Sequence, residues 1–474
     1  GKSVARRDHS LCDSLPARMS DSARTGRTLG AGTYLGYAAG SLSTGAFSTI
    51  PGLLLLYYLT DTLGVPAGLA GATVLIPKFW DVFWNPVVGG WSDRTDTKWG
   101  ARRPWMLAGA LILPGFFVLM FAAPASLSSA AAAVWTGLAF LGCAASYALF
   151  QVPYVSMPAE MTDDYHERTT IIAYRIVALT LGILVAGAVA PLLVEAGGGG
   201  RAGYRAMGVA VAGFMLAGML AAVFGTARAP TASKRAVAGS LLAALRAARG
   251  NPWFLPLWTC FVVQALASAA TLAAIPYFAK YVLGRSGATT PLFVGLVAPA
   301  ILVMPLWTWF GRRAGKKRAY VASSLCYTAA SLGLLAGAVL PFSGVMAMVV
   351  LAGIGYSGMQ VFPLAMLPDA IAADEARSGR RLAGLLTGIW TAGETGAFAL
   401  GPSLVGGLLA VAGFVSAPTG KVATQPDGAL AGIVLACSAL PAVAMLLSLW
   451  LLRRYELTEN RLAEIVGKGE GGTS

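Results

Sequence analysis

The sequence is poor in charged residues: Asp, Glu, Lys and Arg make up 12% of its 474 residues. Soluble globular proteins carry about twice that fraction, roughly 25%, so an ordinary soluble enzyme is excluded. There are two histidines, and the five cysteines lie far apart, four of them in apolar runs. Neither a disulfide framework nor a zinc site with paired ligands is predicted. HExxH and phosphate-loop motifs are also absent, which leaves little support for an intramembrane enzyme.

Hydrophobic residues are abundant, at 56% of the chain, and the mean hydropathy is +0.67. Many apolar runs reach the roughly 20 residues that cross a ~30 Å hydrocarbon layer. These runs predict twelve spans, at residues 29–60, 67–91, 104–124, 131–158, 169–194, 205–227, 253–279, 288–311, 319–342, 344–370, 382–413 and 428–452. The expected fold is an all-α integral membrane protein with twelve transmembrane helices.

The net charge of +14 comes from Lys and Arg residues whose positions follow the predicted membrane topology. Of the 35 Lys and Arg residues, 28 fall in the two tails and in alternate connecting segments, and five fall in the opposite segments. The positive-inside rule therefore predicts a multi-pass protein of the cell membrane with both termini in the cytoplasm. The lipid bilayer accounts for this pattern, and no nucleic-acid partner is expected. Residues 1–28 contain no apolar core of a signal peptide, so the first span is expected to direct insertion.

The longest break in hydrophobicity lies at the midpoint of the chain. It predicts five parts: a cytoplasmic tail (1–28), a six-helix half (29–227), a cytoplasmic linker (228–252), a second six-helix half (253–453) and a C-terminal tail (454–474). Leucines and arginines within the linker are compatible with a short amphipathic helix on the membrane surface. A solvated linker is an equal alternative.

The two halves carry similar motifs. Gln151-Val-Pro-Tyr-Val-Ser-Met-Pro-Ala-Glu160 places two prolines five residues apart before an acid, and Gln360-Val-Phe-Pro-Leu-Ala-Met-Leu-Pro-Asp369 does the same. Paired prolines predict broken helices where a cavity or neighbouring helix satisfies the freed carbonyls. Two six-helix halves in parallel pseudo-repeat are typical of the major facilitator fold.

Longer motifs indicate a family. Trp80-Asp81-Val-Phe-Trp-Asn85-Pro86, continuing through Asp93-Arg94 to Arg103-Pro-Trp105, resembles the second helix and following loop of the glycoside–pentoside–hexuronide:cation symporters, the melibiose-permease group. The segment from Pro153 to Arg175, Tyr58-Leu-Thr-Asp61 and Gly388-Ile-Trp390-Thr are similar to that group as well.

This resemblance implies a secondary active transporter that moves a small organic solute by alternating access, coupled to a cation. It implies no enzyme activity and no cofactor, and a monomer is expected. A non-transporting sensor or scaffold is an alternative with less support, since no soluble domain is appended.

Two acids are predicted deep within spans, where carboxylates are costly and usually functional: Asp81 and Glu394. The resemblance places Asp81 and Asn85 in the cation site, where the family usually has two acids. Asn85 and Ala148 replace a carboxylate and a hydroxyl, which weakens a site for sodium, a hard cation that prefers oxygen ligands. Coupling to H+ is therefore the leading hypothesis, Na+ is second and uncoupled transport is third. No other metal is expected.

A second set of polar and aromatic residues is predicted to line the substrate cavity. They recur at helical spacing or match the family's cavity residues: Lys78, Tyr147, Gln151, Tyr154, Arg175 and Trp390. Hydroxyl-bonding groups beside aromatic faces suit a sugar or glycoside. Arg175 is also expected to pair with Asp81 or Glu394.

The substrate class has alternatives. The span 1 positions that match the family's charged galactoside ligands are Thr44 and Gly45, and Gln151 replaces its acid on span 4, so a melibiose-type sugar is disfavoured. The apolar stretch Ala46–Leu56 would tolerate an acyl chain, which makes lysolipid or amphiphile transport an alternative. Export of a drug or metabolite is another.

Charged residues after spans 2 and 4 are predicted to form a cytoplasmic gate. They are expected to pair when that side is shut and to separate when it opens, and they are Asp93, Arg94, Arg102, Arg103, Glu160, Asp164, Glu167 and Arg168.

Overall fold

The computed structural model describes residues 29–162, 164–227, 229, 248–379, 382–418 and 424–470. Within these ranges the regular structure is helical, apart from one isolated antiparallel bridge between Leu63 and Pro418. The predicted N-terminal tail and most of the predicted linker, including the candidate amphipathic helix, lie outside the described residues.

The first part of the chain forms six helices: α1 (Ala31–Ile50), α2 (Ala67–Arg94), α3 (Arg103–Phe121), α4 (Ser129–Met161), α5 (Tyr165–Ala196) and α6 (Gly200–Gly225). Two π-helical turns, Pro51–Leu55 and Tyr58–Thr62, extend α1. Side chains cap two of the helices: the Ser128 hydroxyl accepts from the Ala131 amide at α4, and the Asp164 carboxylate accepts from the Glu167 amide at α5.

The second part forms nine further helices: α7 (Phe254–Tyr277), α8 (Thr289–Leu302), α9 (Met304–Ala314), α10 (Lys316–Gly333), α11 (Phe342–Ser378), α12 (Ala383–Val411), α13 (Asp427–Cys437), α14 (Ala439–Leu452) and α15 (Glu459–Glu470). A π-helical turn, Phe278–Val282, extends α7 in the way that two such turns extend α1. The α8–α9 pair is bent by 50° at Val303.

The described residues contain nine apolar helical spans long enough to cross a membrane, or ten if the bent α8–α9 pair is one span. The prediction of a multi-pass helical membrane protein is confirmed. The first two predicted spans are also helical, as α1 and α2, but they are less apolar. Glycine, serine and threonine are frequent in α1, and α2 carries four charged residues. Twelve transmembrane helices therefore remain a prediction.

The paired prolines do not break their helices, contrary to the expectation. The helix α4 continues through Pro153 and Pro158, and α11 continues through Pro363 and Pro368. Membrane helices tolerate proline where neighbouring groups satisfy the freed carbonyls. The departures from regular α-helix lie instead at the π-helical turns and at the Val303 bend.

Helices α1 to α6 meet the later helices at one end of the bundle, which we call the closed end. Five hydrogen bonds made by side chains join residues 29–229 to residues 248–470, and all five lie there. The Thr60 and Tyr277 hydroxyls bond each other, Lys280 and Tyr281 donate to Asp61, Thr290 donates to Ala188, and Ser403 donates to Gly71. The other end, where α2 and α4 finish and α12 begins, we call the open end.

Backbone contacts explain why the closed end is tight. A β-carbon on Gly71 would come within 3.1 Å of the Ser403 carbonyl oxygen, and one on Gly406 within 2.7 Å of the Ala67 carbonyl oxygen. Gly406 belongs to α12. Nearer the open end of this helix, Gly384, Gly388 and Gly396 have open space around them. The two groups of helices therefore diverge from the closed end.

Candidate functional site

The middle of α2 places a cation beside an acid. The Lys78 ammonium is 3.8 Å from the Asp81 carboxylate, three residues along the helix. Asp81 is buried, and its second oxygen, Oδ1, has no hydrogen-bond partner in the described chain. Asn85 lies one further turn along and is exposed. The structure therefore brings Lys78 and Asp81 together and leaves Asn85 outside their contact.

Aromatic rings continue from this pair across α1 and α4. The Lys78 ammonium lies 5.8 Å from the centre of the Phe47 ring and 5.7 Å from that of Phe140. The Tyr147 ring packs on Phe47 with centroids 4.5 Å apart. Tyr147 thus lies between the Lys78 pair and the next group of predicted residues.

That next group is centred on Tyr154. The Tyr154 hydroxyl donates to the Tyr37 carbonyl at 2.7 Å and shares a 2.7 Å hydrogen bond with the Ser41 hydroxyl, while its ring stacks on Tyr37. The Arg175 guanidinium lies 5.8 Å from the centre of the Tyr154 ring, a cation–π arrangement. Gln151 is half-buried one turn before Tyr154. Lys78 thus contacts Asp81 and shares the Phe47 ring with Tyr147, and Arg175 lies against Tyr154.

The second half contributes a separate wall of the site, formed by residues of α7, α11 and α12. Trp390 is buried and stacks on Phe261 with ring centroids 4.4 Å apart. Glu394, one turn further along α12, is partly exposed and interacts electrostatically with Tyr356 of α11, whose hydroxyl accepts from the Gln360 amide at 2.6 Å. A small cavity lies beside this wall, lined in part by Phe261, Gln264, Ser268, Tyr356, Gln360 and Phe398.

Four predicted residues of the cation site and substrate cavity carry buried polar atoms without a partner in the described chain: Asp81 Oδ1, Gln151 Oε1, Arg175 Nε and Trp390 Nε1. Buried polar groups are nearly always hydrogen-bonded, because an unsatisfied donor or acceptor costs about 1–3 kcal/mol. Two acceptors and two donors, drawn from both halves, thus have unused hydrogen-bonding capacity.

The expected pair between Arg175 and Glu394 is not formed in this conformation. Neither residue has an ion-pair partner in the ranges that the structure describes. Arg175 lies against the Tyr154 ring within the first half, whereas Glu394 lies on α12 in the second. The two groups lie on halves that diverge toward the open end.

Arg102 is the centre of the predicted gate residues. Its guanidinium lies 2.5 Å from Asp93 and 2.8 Å from Glu160, and it also donates to the Ser92 hydroxyl at 2.5 Å. Arg102 and Glu160 are buried. These bonds tie the ends of α2 and α4 to the start of α3. All the partners belong to the first six helices, and their separation on opening stays a prediction.

The remaining predicted gate residues make local contacts. Arg103 donates to the Thr226 and Ala229 carbonyls beyond the end of α6. Glu167 accepts from the Leu29 amide and the Tyr34 and Thr162 hydroxyls, Arg168 donates to the Thr162 carbonyl, and Asp164 caps α5. Arg94 is exposed at the end of α2.

The sequence reasoning missed the polar contact at the closed end. The Asp61 carboxylate, almost fully buried, binds the Lys280 ammonium at 2.6 Å and accepts from the Tyr281 hydroxyl. This contact joins the π-helical turn after α1 to the one after α7. The one sequence signal for this contact is Asp61, the acid that ends the Tyr58-Leu-Thr-Asp61 motif.

Comparisons with known proteins identify the family. The model of the MFS/sugar transport protein family matches residues 36–459. The isoprimeverose transporter of Lactiplantibacillus pentosus is 27% identical over 78% of each chain. The glucuronide carrier protein homolog of Escherichia coli is 25% identical over 92% of this chain and 94% of its own. The mouse sodium-dependent lysophosphatidylcholine symporter 1 is 24% identical over 71% and 69%.

A solved structure shows the fold. A bacterial homologue of the human lysosomal transporter Spinster, in an inward-facing conformation, matches with a TM-score of 0.62 over 92% of this chain and 97% of its own, at 14% identity. This supports the expected major facilitator fold, and the relatives are transporters, as expected, and not enzymes. The chain belongs to the MFS/sugar transport protein family, the glycoside–pentoside–hexuronide:cation symporters of the major facilitator superfamily.

Proposed function

We propose that the protein carries a sugar or glycoside across the cell membrane by alternating access, driven by protons. The observation that carries this proposal is the set of unpartnered buried donors and acceptors on α2, α4, α5 and α12. A polyhydroxyl ligand between the halves would satisfy them. Its ring face would pack on the aromatic groups beside them, Tyr154 in one half and Trp390 on Phe261 in the other.

The names of two relatives agree with this substrate class, since one transports isoprimeverose and the other is a glucuronide carrier homologue. In the proposal, Gln151, Tyr154, Arg175 and Trp390 bind substrate directly. Tyr147 and Lys78 support them from the α2 side.

Lysolipid transport is the second candidate, because one relative is a lysophosphatidylcholine symporter. The stretch expected to hold an acyl chain, Ala46–Leu56, disfavours it in this chain. Phe47, Ile50 and Leu53 are buried in the protein core, and Leu54, Leu55 and Leu56 are buried with them. Their side chains are occupied by packing, so they do not line an open tunnel.

For coupling, we propose that Asp81 and Glu394 carry the proton. Both are carboxyl groups within helices that cross the membrane, and neither has a short ion pair in the described chain: the Lys78 ammonium stands 3.8 Å from Asp81. A carboxyl group that is removed from water holds a proton more readily than one in solution. Binding and releasing that proton would change the charge of the site between the two orientations.

Alternating access would use the two helix groups as rigid halves, residues 29–227 and 253–453, joined by the 228–252 linker. Matching contacts support a parallel repeat: Glu160 binds Arg102 at 2.8 Å in the first half, and Asp369 binds Lys316 at 2.6 Å in the second. Each pair would keep its own half rigid. The contact that opens and closes would be Asp61 with Lys280, which joins the halves.

We further propose that the open end faces the cytoplasm. The predicted basic segments, including Arg94, Arg102 and Arg103, lie at that end, as the positive-inside rule requires. The structure then corresponds to an inward-facing conformation of a monomeric transporter.

A ligand screen by thermal unfolding tests the substrate class. A ligand that binds only the folded protein raises its Tm by mass action. We expect sugars or glycosides to raise the Tm of the wild type, and lysophospholipids not to. Trp390→Ala should abolish the shift, whereas the control Trp450→Ala, an exposed residue on α14, should keep it. A shift produced by lysolipids alone would overturn the sugar assignment.

A further inference from the structure

Lys78 occupies the position that a coupling cation would need beside Asp81. Its ammonium is 3.8 Å from the buried carboxylate, and the side chain of Lys78 is 22% exposed. The choice of cation at this site rests on the proposed cation coupling and specifies it further.

The ammonium is held from three directions. Asp81 lies on the same helix, Phe47 comes from α1 and Phe140 from α4, with ring centres 5.8 and 5.7 Å from the nitrogen. Aromatic faces attract cations, and the attraction is stronger where water is excluded. The two rings and the carboxylate therefore form a cation site in which this protein's own lysine is the cation.

The surrounding residues do not fit sodium. Sodium needs several oxygen ligands, and the described chain contains no cluster of three acidic, histidine or cysteine residues. Asn85 is exposed, and the neighbouring positions on α4 are the buried Cys143 and Ala148, which supply a thiol and a methyl group. Asp81 is left as the one carboxylate in reach.

The charge balance points the same way. A sodium ion bound at the Asp81 carboxylate would lie close to the Lys78 ammonium, which carries a like charge. Their repulsion in a buried place is unfavourable. Without the ammonium, the same carboxylate would be uncompensated and would attract a cation.

We propose that Lys78 is a tethered counter-cation that excludes Na+ from Asp81 and so determines the cation selectivity of the transporter. Replacing Lys78 by a neutral residue converts this position into a site for Na+, with Asp81 and the rings of Phe47 and Phe140 as its surroundings.

The test measures sodium binding to the purified full-length chain in detergent. The Tm is recorded in NaCl and in choline chloride at equal ionic strength, and bound ²²Na+ is measured directly. The variants are Lys78→Met, Lys78→Gln, and Lys78→Met combined with Asp81→Asn. Lys98→Met, which removes an exposed lysine from the α2–α3 turn, is the matched control for the loss of one positive charge.

We expect no Na+-specific effect in the wild type or in Lys98→Met. In Lys78→Met, the Kd for Na+ should fall at least about tenfold, and the Tm should rise in NaCl. The gain should disappear when Asp81→Asn is added. Lys78→Gln keeps a polar side chain of similar length. If Lys78→Met does not fold, the same measurements of Na+ binding on Lys78→Gln test the proposal.

Two results would overturn the proposal. One is Na+-specific stabilisation of the wild type that Asp81→Asn removes, since Lys78 would then not exclude the ion. The other is a folded Lys78 variant with no gain in Na+ binding. The assay contains neither substrate nor gradient, so its outcome is independent of whether sugar uptake proves to be proton-driven.

Discussion

Breaking the Asp61–Lys280 contact should shift the protein away from the conformation in which the closed end is sealed. Asp61→Asn removes the negative charge but keeps a side chain of the same size. The ammonium of Lys280 lies 2.6 Å from the carboxylate, and the Tyr281 hydroxyl donates to the same group. These bonds exist only when the π-helical turns after α1 and α7 are together.

The size of the shift follows from exposure. The side chain of Lys280 is 41% exposed, so the ion pair is screened by solvent and contributes about 0.2–1 kcal/mol. The hydrogen bond from Tyr281 to a charged and nearly buried acceptor adds to it, and the asparagine retains part of that bond. A loss of about 1–2 kcal/mol changes the ratio of the two conformations about 5- to 30-fold.

Spin labels on either side of the closed end measure this ratio. Ser126, in the turn between α3 and α4, and Val339, between α10 and α11, are exposed and belong to different halves. In a cysteine-depleted background, distances between labels at these positions report opening. We expect Asp61→Asn to add a longer distance that is minor in the wild type.

Two controls accompany the measurement. Asp427→Asn removes an exposed acid at the same end and should leave the distances unchanged. Lys280→Met should reproduce the shift, and combining it with Asp61→Asn should add little, because both changes remove one interaction. Identical distance distributions in the wild type and Asp61→Asn would refute the role of this contact as a gate.

Three further predictions concern single residues. Arg102→Ala should lower the free energy of unfolding by about 3–5 kcal/mol, because it leaves the buried Glu160 without its cation. Arg94→Ala is the control, and an unchanged Tm in Arg102→Ala would contradict the prediction. Glu394→Gln should preserve substrate binding but flatten the pH profile of transport between about pH 5.5 and 8; an unaltered profile would leave Glu394 as a polar cavity residue only. Trp390→Phe should keep the stack on Phe261 but lose the indole N–H. In a binding titration beside the wild type, its affinity for the sugar should be about 5- to 10-fold weaker, the effect of one hydrogen bond. Equal affinity would exclude the indole N–H as a donor to the ligand.

The sequence predicted best what depends on local spacing. Lys78 and Asp81 are three residues apart, so a helix alone brings them to one face, and their contact was predictable. The acid after the paired prolines and the basic turn before α3 were also recognisable as motifs, and they meet as Glu160 and Arg102.

Contacts between distant parts of the chain were not predictable in the same way. Asp61 and Lys280 are 219 residues apart in the sequence. No local pattern indicates which charged residue of one half will contact which charged residue of the other. The expected pairing of Arg175 with Glu394 also joins residues of different halves, and these halves diverge at the open end in this conformation. The contacts that local spacing does not predict are thus those set by how the halves sit together.

The most direct test of the central claim is uptake of a labelled sugar into proteoliposomes, using the sugar that gives the largest thermal shift. An inward pH gradient is imposed in sodium-free buffer. We expect accumulation above equilibrium in the wild type, and loss of accumulation with retained exchange in Asp81→Asn, since the coupling site would be removed and the cavity kept. Equal uptake with and without the gradient, or uptake that requires sodium, would contradict proton-driven transport.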